Sequence, residues 1–432
     1  MHHHHRPLTL WAKRLPRHTT CQALPPTRQM ISLSSSPSHP HRHRQSSLPA
    51  AYYRGGTSRA VFFRASDLPA DRGGWAAPFL GIIGSPDPSH GRQLDGLGGG
   101  VSSLSKVCVV GCPSSAGADV ADVDYTFAAV GVRNASVDFS SNCGNMSAAV
   151  GPFAVDCGMV RPVAGECEEV VEDVTVRIHN TNTGKIIHAT FPVILGSGSK
   201  EPEAVAHGDF AIDGVAGTGA PVRLDFIRPA GSRTGKLLPT GGVVDTFDFE
   251  AGGPGGGNVS IRATCVDVAN PCCFVGAADL GVDGRISPSE MEEDPGLMGT
   301  LERVRRLAGV RMGLAEAVGD VPGSVPKIAI VSPCEEEGKG KGESVVARAM
   351  SVGQPHKAIP VTVALALAAA AKLPGSVVSE CVSGEPGEDG LVIHHASGTL
   401  RVDAEYDGDG ELEKATVFRT ARRLMEGRVF WK

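Results

Sequence analysis

The run Val361-Thr362-Val363-Ala364-Leu365-Ala366-Leu367-Ala368-Ala369-Ala370-Ala371 constrains this chain most. It reads as helix and has no polar face, so it must be buried all round. The polar loop Pro355-His356-Lys357-Ala358-Ile359-Pro360 leads into it. A similar junction stands far upstream, where Asn142-Cys143-Gly144-Asn145 runs into Met146-Ser147-Ala148-Ala149 and on through Val155. Two interior helices of small residues need sheet on every side. We expect an α+β chain of two similar halves, each a strand layer around a central helix, with both helix N-termini pointing into one cleft. No residue-level period accompanies the pattern.

Strand signals surround both helices. Tyr52–Phe63 reads as strand, Gly-containing turn, strand. Val107–Val110 and Tyr125–Val130 are apolar strands, and Val174–His179 alternates before Asn180–Gly184 turns it into Ile186–Phe191. Val222–Phe226, Ile261–Val268 and Lys327–Val331 continue the series. Charged residues over Ser287–Arg311 predict a solvated surface helix broken at Asp294-Pro295-Gly296. Loops are expected at 231–242, 251–257 and 335–342. The 55 glycines and an aromatic content of only 5% suit many tight turns.

A net charge of −6 leaves no basic footprint for nucleic acid. No apolar run approaches the roughly 18–20 residues of a membrane helix. Residues 1–50 have no Asp or Glu, and the first acid is Asp67. This Ser-rich, His-rich basic segment is expected to be a disordered extension. It fits a mitochondrial transit peptide, a start codon assigned too far upstream, a plain tail or a tag remnant. Without an apolar signal core, we expect the cytoplasm or the mitochondrial matrix rather than secretion. The 11 cysteines are irregularly spaced with no CxxC pair, which supports no metal site.

The first turn of a helix carries free N–H groups and partial positive charge, so each junction suits a carboxylate. Gly144 lets an anion approach the backbone. Cys143 is placed where a thiol is polarised toward thiolate, unless it is an incidental core cysteine. Lys106 follows Ser102-Ser103-Leu104-Ser105 and opens an apolar strand. Partial desolvation there favours the uncharged amine, a candidate general base; the alternative is an exposed lysine at a strand end. Arg54, before Gly55-Gly56-Thr57-Ser58, suits a carboxylate clamp or a surface arginine on a hairpin. His356 and Lys357 are candidate cationic donors. Asn270 suits a donor to substrate or a strand terminator. The glycine runs lack the context of a dinucleotide fingerprint or P-loop.

Taken jointly, YYRGGTSRAVFF (52–63), DGLGGGVSSLSKV (95–107), NCGNMSAAVGPFAVD (142–156), VRIHNTNTGK (176–185), DGVAGTGAPVRLDF (213–226), ANP (269–271), VRMGLA (310–315), PHKAIPVT (355–362) and RTARRLMEGRVF (419–430) resemble the PrpF family. That family includes 2-methylaconitate cis-trans isomerase, aconitate isomerase and 4-oxalomesaconate tautomerase, and is similar in fold to diaminopimelate epimerase. The resemblance implies an epimerase-like fold with halves at 51–225 and 226–415 and a segment 416–432 packing back on the first. It implies a cofactor-independent isomerase, without metal, acting on an unsaturated di- or tricarboxylate by allylic proton transfer. Lys106 falls on the family's catalytic lysine and Cys143 on the first thiol of the epimerase pair. Arg54, Gly55, Gly56, Thr57, Ser58, Ser105, Asn142, Gly144, Asn145, Asn270, Arg311, Met312, His356, Lys357 and Thr362 are the expected substrate-binding set. A homodimer and a functional link to an aconitase-like dehydratase are the macromolecular associations considered. The second epimerase thiol would sit at Pro360-Val361-Thr362, where there is no cysteine, which disfavours a two-thiol racemase. The alternatives are a cysteine-dependent epimerase or racemase using Cys143 and a non-catalytic accessory protein of an iron–sulfur aconitase-type dehydratase.

Overall fold

The computed structural model describes residues 44–114, 119–162, 170–195, 201–250, 257–334, 343–384 and 390–432. Residues 1–43, the glycine run over 251–256 and the charged loop 335–342 lie outside the described residues. Strand β1 (Ser46–Gly55) forms an antiparallel hairpin with β2 (Ser58–Arg64). Next, β2 runs parallel to β3 (Lys106–Gly111), which is antiparallel to β4 (Val123–Val130). Strand β4 is parallel to β5 (Val170–Asn180), which forms a hairpin with β6 (Lys185–Leu195). Strand β6 pairs antiparallel with β7 (Pro221–Ile227). After β8 (Asp245–Glu250) the same order of pairings recurs through β9 (Asn258–Val268), β10 (Asn270–Gly276), β11 (Lys327–Ser332), β12 (Ser344–Ser351), β13 (Leu391–His395), β14 (Gly398–Tyr406) and β15 (Leu412–Trp431). The repeat missing at residue level is therefore explicit in topology.

Strand β15 joins the two halves, pairing with β14 of the second and with β7 and β1 of the first. Its Lys414–Thr420 stretch pairs with β7, and Ala421–Trp431 pairs with β1. Here the structure corrects the expected end of the N-terminal extension. Residues 46–50 belong to β1, with Ser46 opposite Trp431. Their partner is at the other end of the chain, so local composition gave no strand signal.

Each half wraps a central helix, Gly144–Asp156 in the first and Val361–Ala371 in the second. Small side chains let the sheet approach. A Cβ added at Gly151 would stand 2.5 Å from Cε1 of Phe191 on β6. Phe153 fills the wider gap, its ring 5.1 Å from Phe62 and 5.8 Å from Tyr53. The second helix buries Leu365 and Leu367 completely, and full burial of such a side chain contributes about 1.5–3 kcal/mol. Alternation on β5 and β6 turns Val174, Val176, Ile178, Ile187, Ala189 and Phe191 inward.

The charged segment forms two helices, Pro288–Glu293 and Pro295–Arg311, with Asp294 ending one and capping the other at Leu297 N (2.9 Å). The expected solvated helix has one buried stripe. Leu297, Leu301, Val304 and Ala308 pack with Phe247, Ile261, Ile328 and Ile330 on the sheet face opposite the central helix. Among the described residues, no helix is long and apolar enough to cross a membrane.

Candidate active site

The central helices meet at their N-termini. A Cβ added at Gly144 would stand 2.6 Å from Cγ1 of Val361, so only glycine allows this contact. Beside the meeting point lies a crevice of about 1120 Å³. Its lining includes Ser58, Ser105, Lys106, Asn142, Cys143, Gly144, Asn145, Lys327, His356 and Thr362. Nine of these belong to the expected set, and Lys327 is an addition. Arg72, Arg133 and Arg233 add positive charge, and Asp138 is the one carboxylate of the lining among the described residues. Such a charge balance suits a polyanion.

Cys143 is the N-cap of the first helix, in extended backbone geometry with no side-chain cap bond. Its thiol is half-buried, and the first-turn N–H groups behind it lack helical acceptors. Lys106 opens β3 and is only 8% exposed. Its Nζ lies 5.1 Å from the centroid of the Phe127 ring and makes no hydrogen bond or ion pair among the described residues. Ser105 sets the approach to this lysine, its Oγ 2.6 Å from Gln93 Oε1. Asn145 donates to Thr57 Oγ1 (3.1 Å), which ties the β1–β2 turn to the helix start. That turn rests directly on the helix, since a Cβ at Gly55 would stand 2.4 Å from the Asn145 carbonyl oxygen. Gly56 adopts the left-handed region at φ +50°. Gly55, Gly56 and Thr57 thus support the site without lining the crevice.

Other expected contacts are corrected. Arg54 Nη1 donates to Thr420 O (3.0 Å), Thr420 Oγ1 (2.9 Å) and Gly56 O (3.1 Å), so it locks the turn to β15 and stands outside the crevice. Asn270 is a brace between halves. It accepts from Asn142 N (2.9 Å) and donates to Asn142 O (2.8 Å) and Thr362 Oγ1 (3.1 Å), which leaves no amide hydrogen for substrate. Arg311 and Met312 end a helix on the far face of the sheet. Arg311 bonds Thr246 O (2.9 Å) over the Phe247 ring, and Met312 is buried in that outer core. Lys357 points away and is exposed, its carbonyl accepting from Ser397 Oγ (2.9 Å). His356 does line the crevice, its Nε2 3.1 Å from Ser102 Oγ, but it is no cation. Burial first, then the charges of Lys106 and Lys327, holds its pKa down to about 3.

Lys327 and Arg233 were missed by sequence reasoning. Lys327 is 7% exposed at the start of β11, the topological counterpart of Lys106 at the start of β3. Its signal was present: Lys327-Ile328-Ala329-Ile330-Val331 repeats the pattern of Lys106-Val107-Cys108-Val109-Val110. Nζ donates to Ser324 O (3.2 Å) and Ser351 Oγ (3.1 Å). Burial, followed by repulsion from Lys106, lowers its pKa to about 8. Arg233 sits in the loop after β7. The Asp267 carboxylate accepts from Arg233 N (2.7 Å) and Thr234 N (2.8 Å), and this holds the loop at the crevice.

The chain is similar to known proteins over most of its length. A family model described as PrpF protein matches residues 45–432. The 3-methylitaconate isomerase of Eubacterium barkeri is 39% identical over 399 residues, 89% of this chain and 97% of that protein. The 2-methyl-aconitate isomerase of Shewanella oneidensis is 37% identical over 409 residues, again 89% of this chain and 97% of that protein. A crystal structure of a methylitaconate-delta-isomerase superimposes with a TM-score of 0.67 at 37% identity, covering 90% of this chain and 96% of that one.

Proposed function

The chain belongs to the PrpF family, and from that premise we propose that it isomerises an unsaturated di- or tricarboxylate by moving a proton along an allylic system. One observation carries the reading. Lys106 presents to the crevice where Cys143 and two helix N-termini meet a buried amine with no hydrogen-bond or ion-pair partner among the described residues. A general base needs a free lone pair and a substrate held against it.

Substrate carboxylates rest on the first turns of the two central helices. Lys106 takes the proton from the carbon allylic to the double bond, and the C–H electron pair spreads into the adjacent carboxylate as a dienolate. Fixed backbone N–H groups stabilise the added charge, at roughly 3–4 kcal/mol for a well-placed donor. The ammonium formed at Lys106 returns a proton to the other end of the allylic unit, so the double bond shifts and no atom is gained or lost. Cys143 polarises the intermediate or serves as the second acid. No cofactor enters this scheme.

Deuterium uptake from solvent tests it, with 2-methylaconitate, trans-aconitate and 3-methylitaconate as probes. The native protein is expected to exchange the allylic hydrogen of at least one, and Lys106→Ala to lose exchange while still binding that probe. An exchanging Lys106→Ala protein overturns the assignment. The racemase alternative would require alkylation of Cys143 to abolish turnover of a saturated chiral acid.

A further inference from the structure

We propose that Lys327 is the second anion-binding group of the crevice, its ammonium holding a substrate carboxylate that takes no part in the proton shift. The inference rests on the polycarboxylate reading above and specifies which acids the crevice prefers.

The two strand-opening lysines occupy equivalent places in the repeat but different surroundings. Lys106 has no polar partner among the described residues. Lys327 is tethered, with two of its three N–H donors used by Ser324 O and Ser351 Oγ. Both acceptors are uncharged, and no carboxylate pairs with Lys327 among the described residues. A buried ammonium lacking a counter-ion is costly, and a ligand carboxylate that reaches the third donor relieves that cost. With a pKa held down to about 8, the Lys327 ammonium still predominates at neutral pH. The helix N-termini already serve one or two carboxylates, so this cation selects for an additional one.

Calorimetric titration with propane-1,2,3-tricarboxylate and with pentanedioate, the same carbon chain without the central carboxylate, reads this directly. Neither compound has a double bond, so binding is measured apart from turnover. The native full-length protein is expected to bind the tricarboxylate about 10- to 100-fold more tightly, the range of a hydrogen bond to a charged group. In Lys327→Met the tricarboxylate should lose most of that factor while pentanedioate changes by less than about 3-fold, so the preference collapses. A variant that keeps the preference, or loses affinity for both compounds equally, overturns the proposal. So does a native protein without the preference.

A second measurement needs no variant. The preference of the native protein should fall as pH rises through about 8, where the Lys327 ammonium loses its proton. The charged or titratable groups acting on it are Lys106, Asp138, Cys143 and Cys272, and pentanedioate controls for their influence on general anion binding. A preference that is flat between pH 7 and pH 9 overturns the proposal. A native protein that shows the preference yet exchanges deuterium with no probe would instead remove the isomerase reading and leave this site standing.

Discussion

The halves share one strand plan and differ at the two helix entries that line the crevice. In the first half the helix is entered through Asn142-Cys143-Gly144, and the lysine opening β3 has no polar partner among the described residues. In the second half the entry is Pro360-Val361-Thr362, and the lysine opening β11 is fixed by two acceptors. One half presents to the crevice a thiol and a lysine with no polar partner among the described residues, and the other presents Pro360, Val361, Thr362 and a tethered lysine. A duplicated framework thus brings two helix N-termini together while the loops give the two lysines unlike surroundings, in keeping with the unlike tasks proposed for them: proton transfer and binding.

The largest expected effect separates these tasks. Lys106→Ala should slow deuterium exchange by about 10²–10⁴-fold, the usual contribution of a general base. Lys327→Met should act mainly on tricarboxylate affinity, read as KM against kcat. Equal losses of kcat in both variants would erase the distinction between halves.

Next is the brace. Asn270→Ala removes three buried hydrogen bonds, two of them between the halves, and leaves Asn142 N–H and O without partners. A loss of about 2–4 kcal/mol in urea unfolding is expected. The matching change in the first half, Thr57→Ala, removes one bond to Asn145 and should cost about 1 kcal/mol. Similar losses for both would mean that the two turns bear equal weight.

The smallest effect is a pH dependence. His356 has a folded pKa of about 3 against an ordinary 6.5. The unfolded chain therefore binds more protons, and stability is complete above about pH 6.5 and declines as pH falls toward 3. His356→Gln should flatten this part of the stability profile. An unchanged slope would show that the imidazole is not held neutral by its surroundings.

The fold was legible wherever burial leaves a periodic mark. The 361–371 helix could only be interior, the β5–β6 hairpin alternated cleanly, and Asp294-Pro295 marked a break between helices. The crevice was legible at Lys106, Cys143 and the polar helix entry, because the strand start and the helix N-terminus that place those residues are local features of the sequence. It was not legible at Arg54, Asn270, Arg311, Met312 and Lys357. Those residue types fit carboxylate binding, but their partners are Thr420, Asn142, Thr246, the outer core and solvent. Lys327 was passed over for the opposite reason. Its sequence pattern matched that of Lys106, but only the repeat of strand pairings reveals the equivalence.

The amino-acid sequence by itself determined that two apolar helices had to be enclosed by sheet and that each would be entered through a polar loop. Side-chain polarity and period suffice for that, because burial is a local demand. Tertiary structure alone decided which cations face the crevice. A hydrogen bond or a neighbouring charge depends on distance in space, and the partners concerned are often more than 100 residues apart.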